Sequence, residues 1–417
     1  MKERKQEKMD KQEMGLTFYI TRRKVKAALE GLVYRVCQLF PINQKKVVMW
    51  TFEGGGGYGC SPKYVAEEIL KRNREGRTEY KIYWIIKDTE KEMPEEIKKV
   101  RDTLWNRAYH LSTAGTWVGD TRTFYGTKKR KKQRYIQTWH ATICIKPIGK
   151  YRGKRFPKMA YLVSQYDSNM IDYVLSGSRW CTQMYREGLL YNGKIIETGT
   201  PRCDVLFNER EKKRKQIREE NGIPQEGKLL VYAPTFRGGS QGGKRKVSKE
   251  EATVDFDGLI EAMEKRFGGE WYVLLRLHPQ LAAKMENQRV EKRSGSRLID
   301  VSQRADMNEI LAGADAFLTD YSSAIFEAAI LEMPSFIYAD DLEEYIEDRG
   351  ELFFEIEKLP FKAASDNRGL VKNILEFDER EYKRKLEEFK KVTGVMEDGH
   401  ASERVVDLIE GKYWERI

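Results

Sequence analysis

Two of the four histidines in this 417-residue chain follow directly on apolar runs that read as strands: His140 ends RYIQTWH and His278 ends WYVLLRLH. An imidazole so placed can take up or give back a proton near neutral pH. His110 and His400 sit in ordinary polar surroundings. Three arginines, Arg202, Arg237 and Arg276, also stand just beyond apolar runs, and a guanidinium suits phosphate oxygens. Thr235 accompanies Arg237 in APTFR. In FLTDYSSAIFEAAILEMPSFIYA, Ser322 and Ser323 stand between a strand-like run and a helical one. Serines there cap orphan N–H groups, and the same N–H groups with the helix dipole favour an anion. Glu327, one helical turn further on, reads either as a ligand for ribose hydroxyls or as a surface acid. Each group alone is equally an N-cap or a surface ion pair. Five polar strand ends together imply a shared cleft, because ligands of open α/β sheets bind beyond the carboxyl ends of the strands.

The elements that would position these groups recur in alternation. Strand patterns appear at KKVVMWTF, YKIYWIIK, TWVGD, RYIQTW, DYVLSG and KIIETG, and again at KLLVYAPT, WYVLLRLHP, RLIDV, DAFLTD and PSFIYA, with helical patterns between them. This predicts two doubly wound α/β domains of the same class. The expected organisation is a basic tail and amphipathic helix over 1–40, a first domain over 41–207, a second over 208–395 and a C-terminal helix within 396–417. Residues 1–14 read as a frayed polar tail, 16–40 as the helix itself, and Ser322 to Glu332 as another helix. EGGGGYGC lacks the GK[ST] ending of a Walker site, and Ser61-Pro62 reads as the cap and first turn of the helix behind it.

Composition narrows the class. Five scattered cysteines without a CxxC pair argue for a reducing compartment and against a disulfide framework or zinc site. No apolar run is long enough to span a bilayer, and the charged N-terminus lacks the apolar core of a secretory signal, so a cytoplasmic-side protein is expected. The formal net charge is +11, yet residues 121–160 alone hold 13 Lys and Arg and no Asp or Glu. Such a block gathers polyanions or is a solvated loop. Residues 1–40 carry ten basic and five acidic side chains, with Leu29, Leu32, Val33, Val36 and Phe40 on one helical face. That pattern suits either an anionic membrane surface or packing on the chain's own domain.

These residues also resemble a known family, the CDP-glycerol glycerophosphotransferases of teichoic acid and related cell-surface polymers, over nearly the whole chain. QTWHATICIKPIG, GTPRCDVLF, YAPTFRGG, LRLHP and above all TDYSSAIFEAAILEMPSFIYADDLEEYIEDRGELF carry the likeness, with Ala141, Cys203, Phe236 and Gly238 as departures. The resemblance implies a GT-B architecture of two Rossmann-like domains facing a cleft, with the nucleotide held mainly by the second. It implies transfer of glycerol phosphate from CDP-glycerol to a lipid-linked anionic acceptor, with release of CMP, at the cytoplasmic face of the membrane. In that reading His140 is the general base, and His278 stabilises the diphosphate or protonates the leaving phosphate. Thr235, Arg237, Arg276, Ser322, Ser323 and Glu327 hold the nucleotide and phosphates, and Lys146, Arg134 and Arg202 meet the acceptor. No carboxylate cluster demands a metal, so no tightly held ion is expected, with free Mg2+ as an allowed assistant; nucleic acid is not an expected partner. The rival readings are a CDP-ribitol or other polyol-phosphate transferase, a nucleotide-sugar glycosyltransferase of the same fold, and a non-catalytic polyanion-binding protein.

Overall fold

A computed structural model describes residues 2–52, 57–235, 253–277, 297–304 and 306–412, with side chains from residue 14 onward. His278, Arg237, Phe236 and Gly238 lie outside the described residues.

Apolar runs of four to six residues, buried on both faces, make parallel strands. The first sheet contains β1 (Asn43–Trp50), β2 (Lys81–Ile86), β3 (Lys98–Arg101), β4 (Ala114–Gly119), β5 (Arg134–Gln137), β6 (Tyr173–Leu175) and β7 (Lys194–Ile196), in the order β3-β2-β1-β4-β5-β6-β7. The second contains β8 (Lys228–Tyr232), β9 (Trp271–Leu275), β10 (Leu298–Asp300), β11 (Ala316–Thr319), β12 (Ser335–Tyr338) and β13 (Lys362–Ala364), in the order β10-β9-β8-β11-β12-β13. All pairs within both sheets are parallel. Each chain path starts in the middle of its sheet, runs to one edge, and returns to build the other side. The crevice of each sheet therefore opens between β1 and β4, and between β8 and β11.

Side chains alternate across the first sheet. Val48, Trp117 and Tyr135 pack on one face, while Val47, Met49 and Ile136 pack on the other against α2 (Cys60–Arg74) and the helix Ala401–Glu410. That last helix returns from the second domain to close the first. Arg72 fastens it: Nε donates to Glu68 at 2.7 Å, and Nη1 to Asp407 at 2.7 Å and Glu410 at 3.0 Å, all four side chains being buried.

The N-terminal helix α1 (Lys2–Cys37) begins earlier than the expected frayed tail, since its Lys, Glu, Gln and Met residues favour helix and no proline interrupts them. It packs through Ala27, Gly31, Tyr34 and Cys37, with Val33 as the one residue of the expected Leu/Val face that is partly buried against the same core. Leu29, Leu32, Val36 and Phe40 are exposed, and Val25, Phe18 and Met14 extend the same stripe. The basic loop Lys128–Arg134 holds the end of this helix. Arg130 donates to the carbonyls of Gln38 at 2.9 Å and Phe40 at 3.0 Å, which favours a cation at a helix C-terminus. Lys129 pairs with Asp172 at 2.8 Å, so much of this block is structural, not a free polyanion site.

The helix after TDYSS spans Ala324–Ile330, shorter than expected, with Ser323 at its start and no side-chain cap. α2 begins at Cys60, before the expected Ser61-Pro62 start.

Removing Arg72 strands three buried carboxylates. Arg72→Ala is expected to lower the unfolding free energy by about 3–5 kcal/mol in denaturant titration, with Arg72→Met less harmful than Ala.

Candidate active site

The carboxyl ends of the two sheets meet. Arg202, in the turn Pro201–Cys203 beyond β7, forms a buried ion pair with Glu327 of the second domain. Burial alone would pull the Arg202 pKa down, but the Glu327 carboxylate and the thiols of Cys60 and Cys203 raise it. Burial raises the Glu327 carboxyl, against the pull of Arg202. The Cys60 N–H donates to Asp306 at 3.2 Å, and Lys63 reaches Glu309 at 2.6 Å. Ser323 Oγ accepts from the Ile145 N–H at 3.0 Å, and the Phe353 N–H donates to the Ile145 carbonyl at 2.9 Å. The loop that carries His140 is thus held by the segment that carries TDYSS.

His140 projects from the end of β5, with its ring stacked on Trp139 at 4.4 Å and 25°. Trp139 takes φ +52°, a left-handed conformation in which a bulky residue is uncommon, and it is held there by a hydrogen bond from its N–H to Gln137 Oε1 at 3.0 Å. His140 Nδ1 lies 2.9 Å from the Asp120 carbonyl. A carbonyl only accepts, so Nδ1 carries the proton and Nε2 keeps a lone pair. Burial pushes the His140 pKa down to about 4, the Asp120 carbonyl opposes this, and the charges of Arg202, Arg122 and Lys146 depress it further. The ring is therefore neutral and able to accept a proton throughout the physiological range. Asp120 itself, buried at the end of β4, is pushed up to about 7 by burial, against the pull of Cys60 and Arg202.

A cavity of about 1230 Å3 opens at the crevice between β1 and β4 and ends at His140. Trp50, Thr121, Arg122 and Trp139 line it near the imidazole, and Leu16, Tyr19 and Arg23 of α1 roof it. Gly119 has no room for a Cβ because the Trp50 indole lies across it, with Nε1 donating to the Thr121 carbonyl at 3.1 Å. Five cationic side chains, Arg23, Lys87, Lys91, Arg107 and Arg122, face two anionic ones, Asp88 and Asp102, so the cavity favours an anion.

The corresponding crevice of the second sheet brings Thr235 and Asp320 together. The Thr235 N–H donates to both Asp320 oxygens at 2.9 Å, while Ser322 Oγ accepts from the Ala324 N–H at 3.3 Å. Arg276 stands at the end of β9, its Nη1 donating to the carbonyls of Leu277 and Ser302 at 2.8 Å.

Not every expected group belongs here. Arg134 is the first residue of β5, at the opposite end of the sheet, and its Nη1 donates to the carbonyls of Leu408 and Ile409 at 2.8 and 2.7 Å; it caps the closing helix and is not placed to meet an acceptor. Glu327 is neither a surface acid nor a free ribose ligand, because its carboxylate is buried against Arg202. Arg202 is correspondingly engaged, although it remains beside His140. Lys146 is half-buried and near enough for its charge to reach the imidazole.

The sequence reading passed over Arg122 and Glu397. Arg122 was visible only as one cation in a basic window, although its place just past the TWVGD strand was a usable signal. Glu397 is half-buried, with Oε1 accepting from Thr142 Oγ1 at 2.9 Å and Oε2 from the Thr200 N–H at 2.8 Å. It joins the His140 loop to the Arg202 turn, and burial pushes its carboxyl up to about 8. Among the described residues no group of three or more His, Cys, Asp or Glu could hold a metal ion.

Two doubly wound parallel sheets joined through their carboxyl ends, with polar crevices at that junction, define the GT-B class of fold. The particular family follows from comparison. The CDP-Glycerol:Poly(glycerophosphate) glycerophosphotransferase model matches residues 32–411, and the chain belongs to that family. It is 30% identical over 380 residues to a teichoic acid poly(glycerol phosphate) polymerase of Staphylococcus epidermidis, covering 88% of this chain and 51% of that protein. A protein of the same description from Bacillus spizizenii is 25% identical, covering 91% of this chain and 96% of the relative. The chain thus spans about half the length of the first relative and nearly all of the second. The solved wall teichoic acid polymerase TagF superimposes with a TM-score of 0.76 at 28% identity, over 96% of this chain and 98% of that one. A variant of it has been soaked with CDPG.

Two outcomes follow from the site's protonation. In an NMR titration His140 should stay neutral down to about pH 4, where an unperturbed histidine titrates near 6.5. Between those values the unfolded chain binds the extra proton, so this residue lowers stability as pH falls from about 6.5 to 4. A resonance titrating near 6.5 would refute the burial argument. For Glu397 the sign reverses. The folded state keeps a proton up to about pH 8 that the unfolded chain loses near 4.5, so stability falls as pH rises across that interval. Glu397→Gln should remove that slope, and Glu397→Ala should cost about 1–3 kcal/mol by orphaning the Thr142 and Thr200 donors.

Proposed function

We propose that the protein transfers glycerol phosphate from CDP-glycerol to the terminal hydroxyl of a lipid-linked anionic acceptor, releasing CMP, in the synthesis of a teichoic-acid-like polymer. The observation that carries this reading is the neutral imidazole of His140 at the end of a cationic cavity, beside the junction with the second domain. In the reaction His140 Nε2 takes the acceptor's hydroxyl proton. The freed oxygen bonds to the phosphorus that bears glycerol, the bond from that phosphorus to the bridging oxygen breaks, and CMP leaves with the electron pair. Such transfers depend on positioning and charge stabilisation more than on covalent participation by the protein. His278 is assigned to the diphosphate from the second domain, with Arg237, Thr235, Arg276, Ser322 and Ser323 around the nucleotide. Free Mg2+ assists the leaving phosphate if it is needed at all.

The same reading puts the protein on the anionic cytoplasmic face of a membrane. No described helix is long and apolar enough to cross a bilayer. α1 instead exposes Phe18, Val25, Leu29, Leu32 and Val36 along one face, with Arg22 and Lys26 on one side of that stripe and Arg35 on the other. An exposed apolar stripe flanked by cations suits a helix lying in the headgroup region.

The test is CMP release by the purified protein from CDP-glycerol with a lipid-linked acceptor. Wild type should release CMP, and His140→Ala and His278→Ala should each lose about 100-fold or more while remaining folded. Release with CDP-ribitol alone would transfer the reading to the ribitol branch. Release of a nucleoside diphosphate from a nucleotide sugar would make the protein a glycosyltransferase, and unchanged His140→Ala turnover would remove the general base.

A further inference from the structure

We propose that Arg122 binds the phosphodiester linking the acceptor's terminal polyol unit to the rest of its chain, and thereby holds that unit's free hydroxyl at His140. This rests on the transferase reading above and assigns a residue and an anionic group to its acceptor side.

A guanidinium has five N–H donors and keeps its charge in proteins. Other arginines around the first sheet are engaged: Arg202 by Glu327, Arg107 by Asp102, Arg130 and Arg134 by backbone carbonyls. Arg122 is half-buried in the cavity wall, yet its guanidinium makes no hydrogen bond or ion pair among the described residues. It lies over the Trp139 ring, 5.6 Å from Cζ to centroid. Asp167 exerts an attraction on it, but that carboxylate already accepts from the Thr123 N–H at 2.9 Å and Thr123 Oγ1 at 2.6 Å. The guanidinium is partly desolvated, with the Asp167 charge near it but no hydrogen bond between them, and an anionic ligand in the cavity would supply those hydrogen bonds and further opposite charge.

The spacing suits one polyol unit with its phosphodiester. Trp139 touches both groups, stacking on His140 at 4.4 Å while Arg122 lies over the same indole. The separation of Arg122 from the imidazole therefore cannot exceed the sum of those two contacts. In an extended glycerol unit, bonds of about 1.5 Å put the phosphorus on the order of 6 Å from the terminal hydroxyl. With a guanidinium–phosphate contact at one end and a hydrogen bond to Nε2 at the other, one unit reaches across any separation within that limit, its phosphodiester gripped through two oxygens where a lysine would offer only a point charge. The donor's phosphates are the less suitable partner. The crevice of the second sheet lies at Thr235 and Asp320, whereas Arg122 belongs to a cavity that runs away from the junction toward Tyr19 and Arg23 of α1.

The experiment has two arms on the full chain. In the first, glycerophosphoglycerol, two glycerols joined by one phosphodiester, is titrated calorimetrically into the nucleotide-free protein, with glycerol as the uncharged control. Wild type should bind it with a salt-sensitive affinity, Arg122→Gln should lose about 10- to 100-fold, and Arg122→Lys should retain part. Equal binding by wild type and Arg122→Gln, or no binding by wild type, overturns the assignment. In the second arm, CMP release is followed while acceptor and donor are varied separately. Arg122→Gln should raise the acceptor KM by about 10- to 100-fold without moving the donor KM. A rise in donor KM instead would assign Arg122 to the nucleotide and overturn the proposal. Binding of the probe through Arg122 with no CMP from any CDP-polyol would refute the transferase reading and keep the anion site. CMP release insensitive to Arg122 would do the reverse.

Discussion

One buried charge pair fixes the relation of everything else in the site. Arg202 enters the junction from the first sheet and Glu327 from the second, the carboxylate fully buried and the guanidinium nearly so. Desolvated ions are tolerable only as partners, so each domain offers a group that is costly unless the other is in register. The pair adds little net stability over two apolar residues, but it makes one mutual placement of the sheets far better than its neighbours. Around it the remaining contacts are directional: Asp306 to the start of α2, and Ser323 to the backbone of the His140 loop. The His140 loop is positioned as much by the opposite domain as by its own strand.

The N-terminal helix serves two surfaces at once. Its small side, Ala27 and Gly31 with Tyr34 and Cys37, lets the backbone approach the first domain, where Arg130 holds its last carbonyls. Its large apolar side is left outside. Because Leu16, Tyr19 and Arg23 of the same helix roof the cavity, whatever occupies the outer face is mechanically close to the acceptor's entry.

Most strands were legible because a strand buried on both faces is a run of apolar residues, as in VVMW or LLVY. The edge strands β3, KKVR, and β13, KAA, were not, since an edge strand of three or four residues needs no apolar run. His140 was legible from its place at a strand end, and the same logic, applied more strictly, would have excluded Arg134, which begins β5 rather than ending it. Arg202 and Glu327 could each be seen as polar groups near the ends of elements, but their pairing crosses domains. Glu397 meets Thr142 across 255 residues, through a chain crossing that no local pattern announces. Arg122 was hidden differently: in a window of 13 cations, type and spacing alone do not tell the engaged from the available.

The three cations that depress the His140 pKa have a consequence for timing. Burial first, and then the charges of Arg202, Arg122 and Lys146, hold the imidazole well below its usual basicity. An anion seated among them would offset their field and return part of the ring's basicity, the part that burial does not hold down. On the proposed transferase reading, the ring is then a stronger base with its acceptor in place than without it, and an activated donor is spared hydrolysis while it waits.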